Sequence, residues 1–249
     1  MRFESKVAIV TGAGQGIGES YAKALGSEGA QVVVADLNAE GAERVAGEIH
    51  ESGGAAIAVP VDVSDPASAE AMAKSAVEAF GGIDLLVNNA AIYGGMKLEP
   101  LMTVDLAYYQ RFMAVNMNGA LFCTRACYQA MIGRGGGSIV NQSSIAGWQA
   151  SGYYSLSKAG INSLTANLAA ELGPQKIRVN AIAPGFIDTE ATRAVTPPKL
   201  LDAMVRRTYL QRIGETADLV GLVLFLLSDE AAFVTGQIIA ADGGSIVRL

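Results

Sequence analysis

Residues 6–28 constrain this chain more tightly than any other stretch. Lys6-Val-Ala-Ile-Val10 is a continuous apolar run, the pattern of a short strand covered on both faces. Thr11-Gly-Ala-Gly-Gln-Gly-Ile-Gly18 follows directly, and a helical pattern then runs from Ile17 to about Glu28. A strand buried on both sides needs a layer above and a layer below, so such a chain folds as a sheet between helices. The alternation continues along the sequence. Strands are expected at 6–10, 31–35, 55–61, 83–88, 137–142, 176–183 and 237–241. Helices are expected at 17–28, 39–52, 66–80, 103–132, 151–172 and 215–228. No repeat and no proline- or glycine-rich linker interrupts them, so residues 1–249 read as one α/β domain.

The turn at 11–18 sets backbone N–H groups at a helix N-terminus, where a pyrophosphate binds well. The spacing is not Gly-x-Gly-x-x-Gly. Gly12, Gly16 and Gly18 fit Thr-Gly-x-x-x-Gly-x-Gly, with Gly14 as an extra glycine and Gln15 and Ile17 between them. The second strand, Gln31-Val-Val-Val-Ala35, ends at Asp36, about 20 residues on, where an acid meets the adenosine ribose hydroxyls. A carboxylate there accepts from the 2′-hydroxyl and repels a 2′-phosphate. Neither Leu37 nor Asn38 is basic, and Gln15 holds the turn position a base would need. NAD is therefore expected over NADP. These features define a Rossmann-like, doubly wound parallel sheet of about seven strands with helices on both faces, binding its ligands beyond the carboxyl ends of the strands.

Tyr154 and Lys158 lie four apart in Tyr-Ser-Leu-Ser-Lys, on one helix face. A phenol titrates near ~10 and is a poor base at neutral pH. A fixed cation beside it is expected to lower that value; a drop of roughly three units needs about 4 kcal/mol. Such a tyrosine exchanges a proton with an alcohol or carbonyl oxygen. Tyr153 also precedes the lysine, but only Tyr154 has the four-residue spacing. Ser143-Ser144 closes the fifth strand, where a hydroxyl can hold a substrate oxygen near the phenol. Asn116 sits among Phe112, Met113, Val115 and Met117, so its amide needs buried hydrogen-bond partners.

Composition excludes several alternatives. The chain has 249 residues and a hydrophobic fraction of 51%, ample for the core of one large domain. Its net charge of −6 disfavours nucleic acid or an anionic membrane as a partner. Met1 to Lys6 leads straight into a strand, so no signal peptide is expected, and the apolar run Leu219–Leu227 is too short to span a bilayer. A cytoplasmic location follows as an expectation. Cys123 and Cys127 share a helix face and read as packed small residues. His50 is the only histidine and sits near a surface helix end, which leaves no histidine triad and no metal site expected.

Taken in order, the motifs resemble those of the short-chain dehydrogenase/reductase family from end to end. They are the glycine motif at 11–18, Asp62-Val63, Asn88-Asn-Ala-Ala91, Asn116, Ser143-Ser144, Tyr154 with Lys158, Pro184-Gly185 with Thr189, and Asp242-Gly-Gly244. The resemblance implies that Asp62 and Val63 hold the adenine and that Asn89, Ala90 and Ala91 line the cofactor. It places Pro184 and Gly185 in the cofactor site and Ile187 to Thr189 near the nicotinamide amide. Asn116, Ser144, Tyr154 and Lys158 would form the catalytic set, Asn116 holding a water that joins the lysine to solvent. Lys158 would also bond the nicotinamide ribose. Ala91 departs from the family's usual glycine and adds one methyl near the cofactor. The segment from the serines to Tyr154 is a few residues shorter than the family pattern, which leaves Ser143 open beside Ser144.

The implied reaction is hydride transfer between a secondary alcohol, or its ketone, and NAD, with Tyr154 exchanging the proton. The long stretch 186–212, containing Pro197 and Pro198, reads as an irregular lid. Tyr93, Met96, Trp148, Tyr153 and Phe186 are expected at the pocket, which suits an apolar, cyclic or aromatic alcohol or a dihydrodiol. A 3-oxoacyl carrier-protein reductase and a catalytically silent NAD-binding sensor or scaffold are the alternatives. Ala159, Ser163, Ala166 and Ala170 form a small-residue stripe on the helix that carries Tyr154, permitting close helix approach. The family resemblance implies a homotetramer, and a dimer also fits.

Overall fold

The computed structural model describes residues 1–247; the last two residues of the expected domain, 248–249, lie outside the described residues. Seven parallel strands form one sheet: β1 Val7–Thr11, β2 Gln31–Asp36, β3 Ala55–Pro60, β4 Leu85–Asn88, β5 Gly137–Gln142, β6 Ile177–Pro184 and β7 Ile238–Ala241. Their order is β3-β2-β1-β4-β5-β6-β7. The chain winds outward from β1 to β3, crosses back to β4, and then winds the other way. The switch point therefore lies between β1 and β4, paired from Ala8↔Leu85 to Val10↔Val87.

The helices are α1 Gly16–Ser27, α2 Ala39–Glu51, α3 Pro66–Phe80, α4 Leu106–Met113, α5 Gly119–Gly133, α6 Gly152–Leu172, α7 Glu190–Val195, α8 Pro198–Val205 and α9 Ala217–Leu227. Local chemistry sets several starts. Asn38, Asp65 and Asp105 each accept a backbone N–H at the head of α2, α3 and α4, and Pro66 opens α3 where no N–H is needed. Two apolar cores flank the sheet. Leu25, Val45, Leu219 and Leu226 pack on one face, and Met72, Cys123, Met131 and Leu168 on the other. Pro60 lies on the edge strand β3, where a missing donor costs no ladder bond.

Two expected elements differ. The single helix expected at 103–132 starts only after the Asp105 cap and is broken by one π-helical turn, Ala114–Asn118, between α4 and α5. The stretch 186–212, expected to be irregular, carries α7 and α8. Thr189 Oγ1 accepts from Thr192 N at 3.1 Å to start the first, and Pro198 opens the second. Among the described residues, no helix is long and apolar enough to cross a membrane.

Candidate active site

A cleft of about 970 Å³ lies beyond the carboxyl ends of the strands, over the switch point. Thr11 and Asn89 join its two halves. Thr11 Oγ1 accepts from Asn89 N and Ala90 N, both at 3.1 Å, and Asn89 Nδ2 donates to the carbonyls of Thr11 (2.9 Å) and Gly12 (3.0 Å). The ends of β1 and β4 are thereby locked at one spacing.

The glycine turn fits a dinucleotide. Gln15, the residue before α1, gives no side-chain cap, unlike the residues that start α2, α3 and α4. The first N–H groups of α1 therefore face the cleft without a side-chain acceptor. Gly16 has φ +59°, and a Cβ built on it meets no atom within 4 Å, so the turn leaves a smooth cradle there. Gly18 packs so closely that a Cβ would lie 2.1 Å from the carbonyl oxygen of Gly12. The extra glycine also has a reason: a Cβ on Gly14 would sit 3.1 Å from both Ala42 N and the Asp36 carboxylate.

Asp36 ends β2 with both oxygens engaged, accepting from Gly14 N (2.8 Å) and Asn38 N (2.9 Å). Its remaining lone pairs suit two ribose hydroxyls. Asp62 accepts from Ser64 Oγ (2.7 Å) and from Arg111 (3.0 Å), and those partners hold its carboxyl below the usual range against the opposing effect of burial, which is the largest single influence. Gly12, Gln15, Gly16, Ile17, Gly18, Asp36, Asp62, Val63, Asn89, Ala90, Ala91, Pro184, Gly185, Ile187 and Thr189 all line the cleft, with Ser144, Tyr154 and Lys158. Sequence reasoning missed Arg111. It reaches Asp62 from α4, 49 residues away, and no local pattern marks it.

The two serines separate clearly. Ser143 is buried, its Oγ donating to Asn162 Oδ1 at 2.6 Å with the Lys158 carbonyl at 3.3 Å. The Ser144 hydroxyl lies beside the Tyr154 phenol. The tyrosines separate as well. Tyr154 faces the cleft with its ring 5.7 Å from that of Tyr93, whereas Tyr153 turns away and packs edge-on against Phe112 at 4.7 Å. Of the expected pocket aromatics and methionine, Tyr93, Met96 and Phe186 line the cleft. Tyr153 and Trp148 do not; consecutive helical residues point about 100° apart, so Tyr153 turns away where Tyr154 faces the cleft.

The expected depression of the Tyr154 phenol is not what this site produces. Burial pushes that phenol up, the neighbouring Tyr93 adds to the rise, and the Ser144 hydroxyl opposes it. Lys158 does not offset this. Its Nζ donates to the Gln142 carbonyl at 2.8 Å, lies 5.8 Å from the Tyr154 ring centre, and is itself pushed down by burial to about 8. Asn116 lies behind the cleft wall in the π-helical turn. Its Oδ1 accepts from Ile92 N (2.8 Å) and its Nδ2 donates to Ile92 O (3.0 Å). A small cavity of about 10 Å³, near the size of one water, lies among Asn116, Lys158, Gln142 and Asn88. Asn88 Oδ1 is buried without a hydrogen-bond partner among the described residues.

Cys123 and Cys127 are buried in the core with thiols pushed up by burial, Cys123 to about 12. Among the described residues no cluster of potential metal ligands occurs.

Comparison with known proteins agrees with this geometry. Residues 12–245 match a family model described as enoyl-(acyl carrier protein) reductase. The chain is 66% identical over 246 residues to an oxidoreductase of Mycobacterium tuberculosis, covering 99% of each. It is 44% identical over 255 residues to a short-chain type dehydrogenase/reductase of Bradyrhizobium diazoefficiens, covering 100% of this chain and 90% of the other. A solved 7α-hydroxysteroid dehydrogenase, complexed with NADH and 7-oxo glycochenodeoxycholic acid, superimposes with a TM-score of 0.94 at 36% identity, covering 100% of this chain and 97% of that one. With Ser144, Tyr154 and Lys158 lining one cleft and relatives matched along its length, this chain belongs to the short-chain dehydrogenase/reductase family, oxidoreductases that use a nicotinamide cofactor.

Proposed function

We propose that the chain is an NAD-dependent enzyme of the cytoplasm that interconverts an apolar, cyclic or aromatic secondary alcohol and its ketone. The observation that carries this reading is the Tyr154 phenol beside the Ser144 hydroxyl, with Lys158 behind and an apolar wall in front. The wall includes Tyr93, Met96, Leu98, Phe186, Leu200 and Met204. The basic side chains lining the cleft, among the described residues, are Lys158 and Arg111, and Arg111 is held at the Asp62 end. Lys158 is engaged by the Gln142 carbonyl and Arg111 by Asp62, which leaves no further cation lining the cleft for an anionic or carrier-bound substrate. The hydroxysteroid neighbour, which holds a cyclic ketone, supports the same class. The segment 186–212, part of the same single domain, acts as the substrate lid.

A bound nicotinamide supplies or accepts the hydride. Tyr154, kept protonated by burial, gives its proton to the carbonyl oxygen in reduction and is left as the phenolate; oxidation runs the same step in reverse, the phenolate taking the alcohol proton. Ser144 holds that oxygen against the phenol. Lys158, charged below about 8, favours the phenolate as it forms and would hold the ribose of a bound nicotinamide. Asn116 fixes the Ile92 peptide and borders the small polar cavity that joins it to the lysine. Gly12, Gln15, Gly16, Ile17 and Gly18 hold the pyrophosphate. Asp36 holds the adenosine ribose, Asp62 and Val63 the adenine, and Asn89 to Ala91, Pro184, Gly185, Ile187 and Thr189 the nicotinamide half.

The test is absorbance at the reduced-nicotinamide band with cyclic and aryl secondary alcohols, their ketones and a 3-oxoacyl thioester, each with NAD and NADP. Cyclic or aryl alcohols with NAD should give the highest kcat/KM. Asp36→Ala should narrow the NAD/NADP gap, mainly by weakening NAD and relieving repulsion of the 2′-phosphate. A thioester preferred by more than about tenfold would replace this reading with an acyl reductase. Tight NAD binding with no turnover of any substrate would leave a sensor or scaffold.

A further inference from the structure

Between β4 and α4 the chain runs through residues 89–105 without a strand or helix, and this loop supplies Tyr93, Met96 and Leu98 to the cleft. Loops with few backbone bonds open easily. Its root is held by Thr11 at Asn89 and Ala90 and by Asn116 at Ile92, and its middle is gripped at Lys97. Lys97 N donates to Tyr108 Oη at 3.1 Å, and Tyr153 Oη donates to the Lys97 carbonyl. The Lys97 ammonium lies over the Tyr108 ring, 4.8 Å from its centre. The residue between two cleft-lining side chains is thus gripped at its donor, its acceptor and its charge.

The grip has a rigid base. Tyr153 is only 3% exposed and its ring meets Tyr108 edge-on at 6.1 Å and Phe112 edge-on at 4.7 Å. Edge-to-face pairs of this kind are worth about 0.5–1.5 kcal/mol beyond their burial. Leu98, by contrast, is 75% exposed and has little packing of its own to hold it. Tyr153 also precedes Tyr154, so one turn of α6 carries the proton-exchanging phenol on one side and the loop anchor on the other.

We propose that Tyr153 and Tyr108 are positioning residues that pin the peptide at Lys97 and so hold Met96 and Leu98 as the substrate wall facing Tyr154. The wall's role toward an apolar alcohol rests on the reading under Proposed function; the pin itself does not. Specificity for a bulky apolar group then depends on two hydroxyls that never touch the substrate.

The test uses Tyr108→Phe and Tyr153→Phe, which keep the rings and remove only the hydroxyls. Hydrogen exchange read by mass spectrometry should show the Lys97–Leu98 amides opening at least ~10-fold faster in both variants, with peptides from α6 and the sheet unchanged. With NAD saturating, kcat/KM for cyclohexanol relative to 2-propanol should fall ~3- to 10-fold through KM, while the KM for NAD stays constant. Wild-type exchange at Lys97 as fast as in both variants would overturn the proposal. So would acceleration spread evenly over the whole chain, which marks a general loss of packing. If the wild type oxidises neither alcohol, the functional reading fails, and the exchange result alone still decides the pin.

Discussion

Lys158 shows how one buried charge is used at the cost of stability. Its side chain is 3% exposed, and burial lowers its value from 10.5 to about 8. Between those values the unfolded chain binds more protons than the folded one, so stability rises with pH across that window, and the burial penalty is fully present below it. Lys158→Met should therefore melt higher at neutral pH, by about 1–3 kcal/mol in unfolding free energy, while turnover collapses. A variant that melts lower would show that the Gln142 carbonyl bond outweighs the desolvation of the ammonium. Tyr154→Phe keeps the ring against Tyr93 and removes the proton, so turnover should fall at least ~10²-fold while NAD still binds by fluorescence titration. Near-normal turnover would remove Tyr154 from the mechanism. The pairing of Tyr154 with Lys158 was legible because four residues is one helical turn. The direction of the phenol's shift was not, because desolvation depends on Tyr93 and on the sheet behind the helix, neither of which is near in sequence.

At the scale of elements, the β1–turn–α1 unit depends on close backbone approach rather than on glycine content as such. Gly18→Ala would drive a methyl against the Gly12 carbonyl oxygen at 2.1 Å, backbone against backbone, where nothing flexible can yield. It should lower stability by about 1–3 kcal/mol and weaken NAD binding. Gly47 lies within α2 with nothing within 4 Å of a built Cβ, so Gly47→Ala should raise stability by about 0.5–1 kcal/mol and leave binding unchanged. Opposite changes in melting temperature for the two variants check the argument; a destabilised Gly47→Ala would refute it. The helix expected at 66–80 matches α3, whose ends are set locally by Asp65, Pro66 and the closing Gly81. The π-helical turn at Ala114–Asn118 was not expected. It is accompanied by the pair of bonds from Asn116 to Ile92 across 24 residues, a tertiary contact that leaves no mark on the local apolar pattern.

For the whole molecule, assembly is the open expectation. Ala159, Ser163, Ala166 and Ala170 all lie exposed along α6, a stripe that lets a second helix approach closely. We expect a homotetramer, and light scattering coupled to gel filtration should read four times the 25.7 kDa chain. A mass of one chain at micromolar concentration would dismiss the stripe as an interface. Strand and helix alternation, the glycine turn, the acid at the end of β2 and the Tyr–Lys spacing were all readable from the residues alone, since each rests on a local period or a fixed short offset. The register that brings Asn89 onto Thr11 was not, nor was which of Ser143 and Ser144 sets its hydroxyl beside the Tyr154 phenol, nor the turning of Tyr153 from the pocket to grip Lys97. These depend on which way a side chain points once distant elements have packed, and that direction is set by contacts the chain makes only when folded.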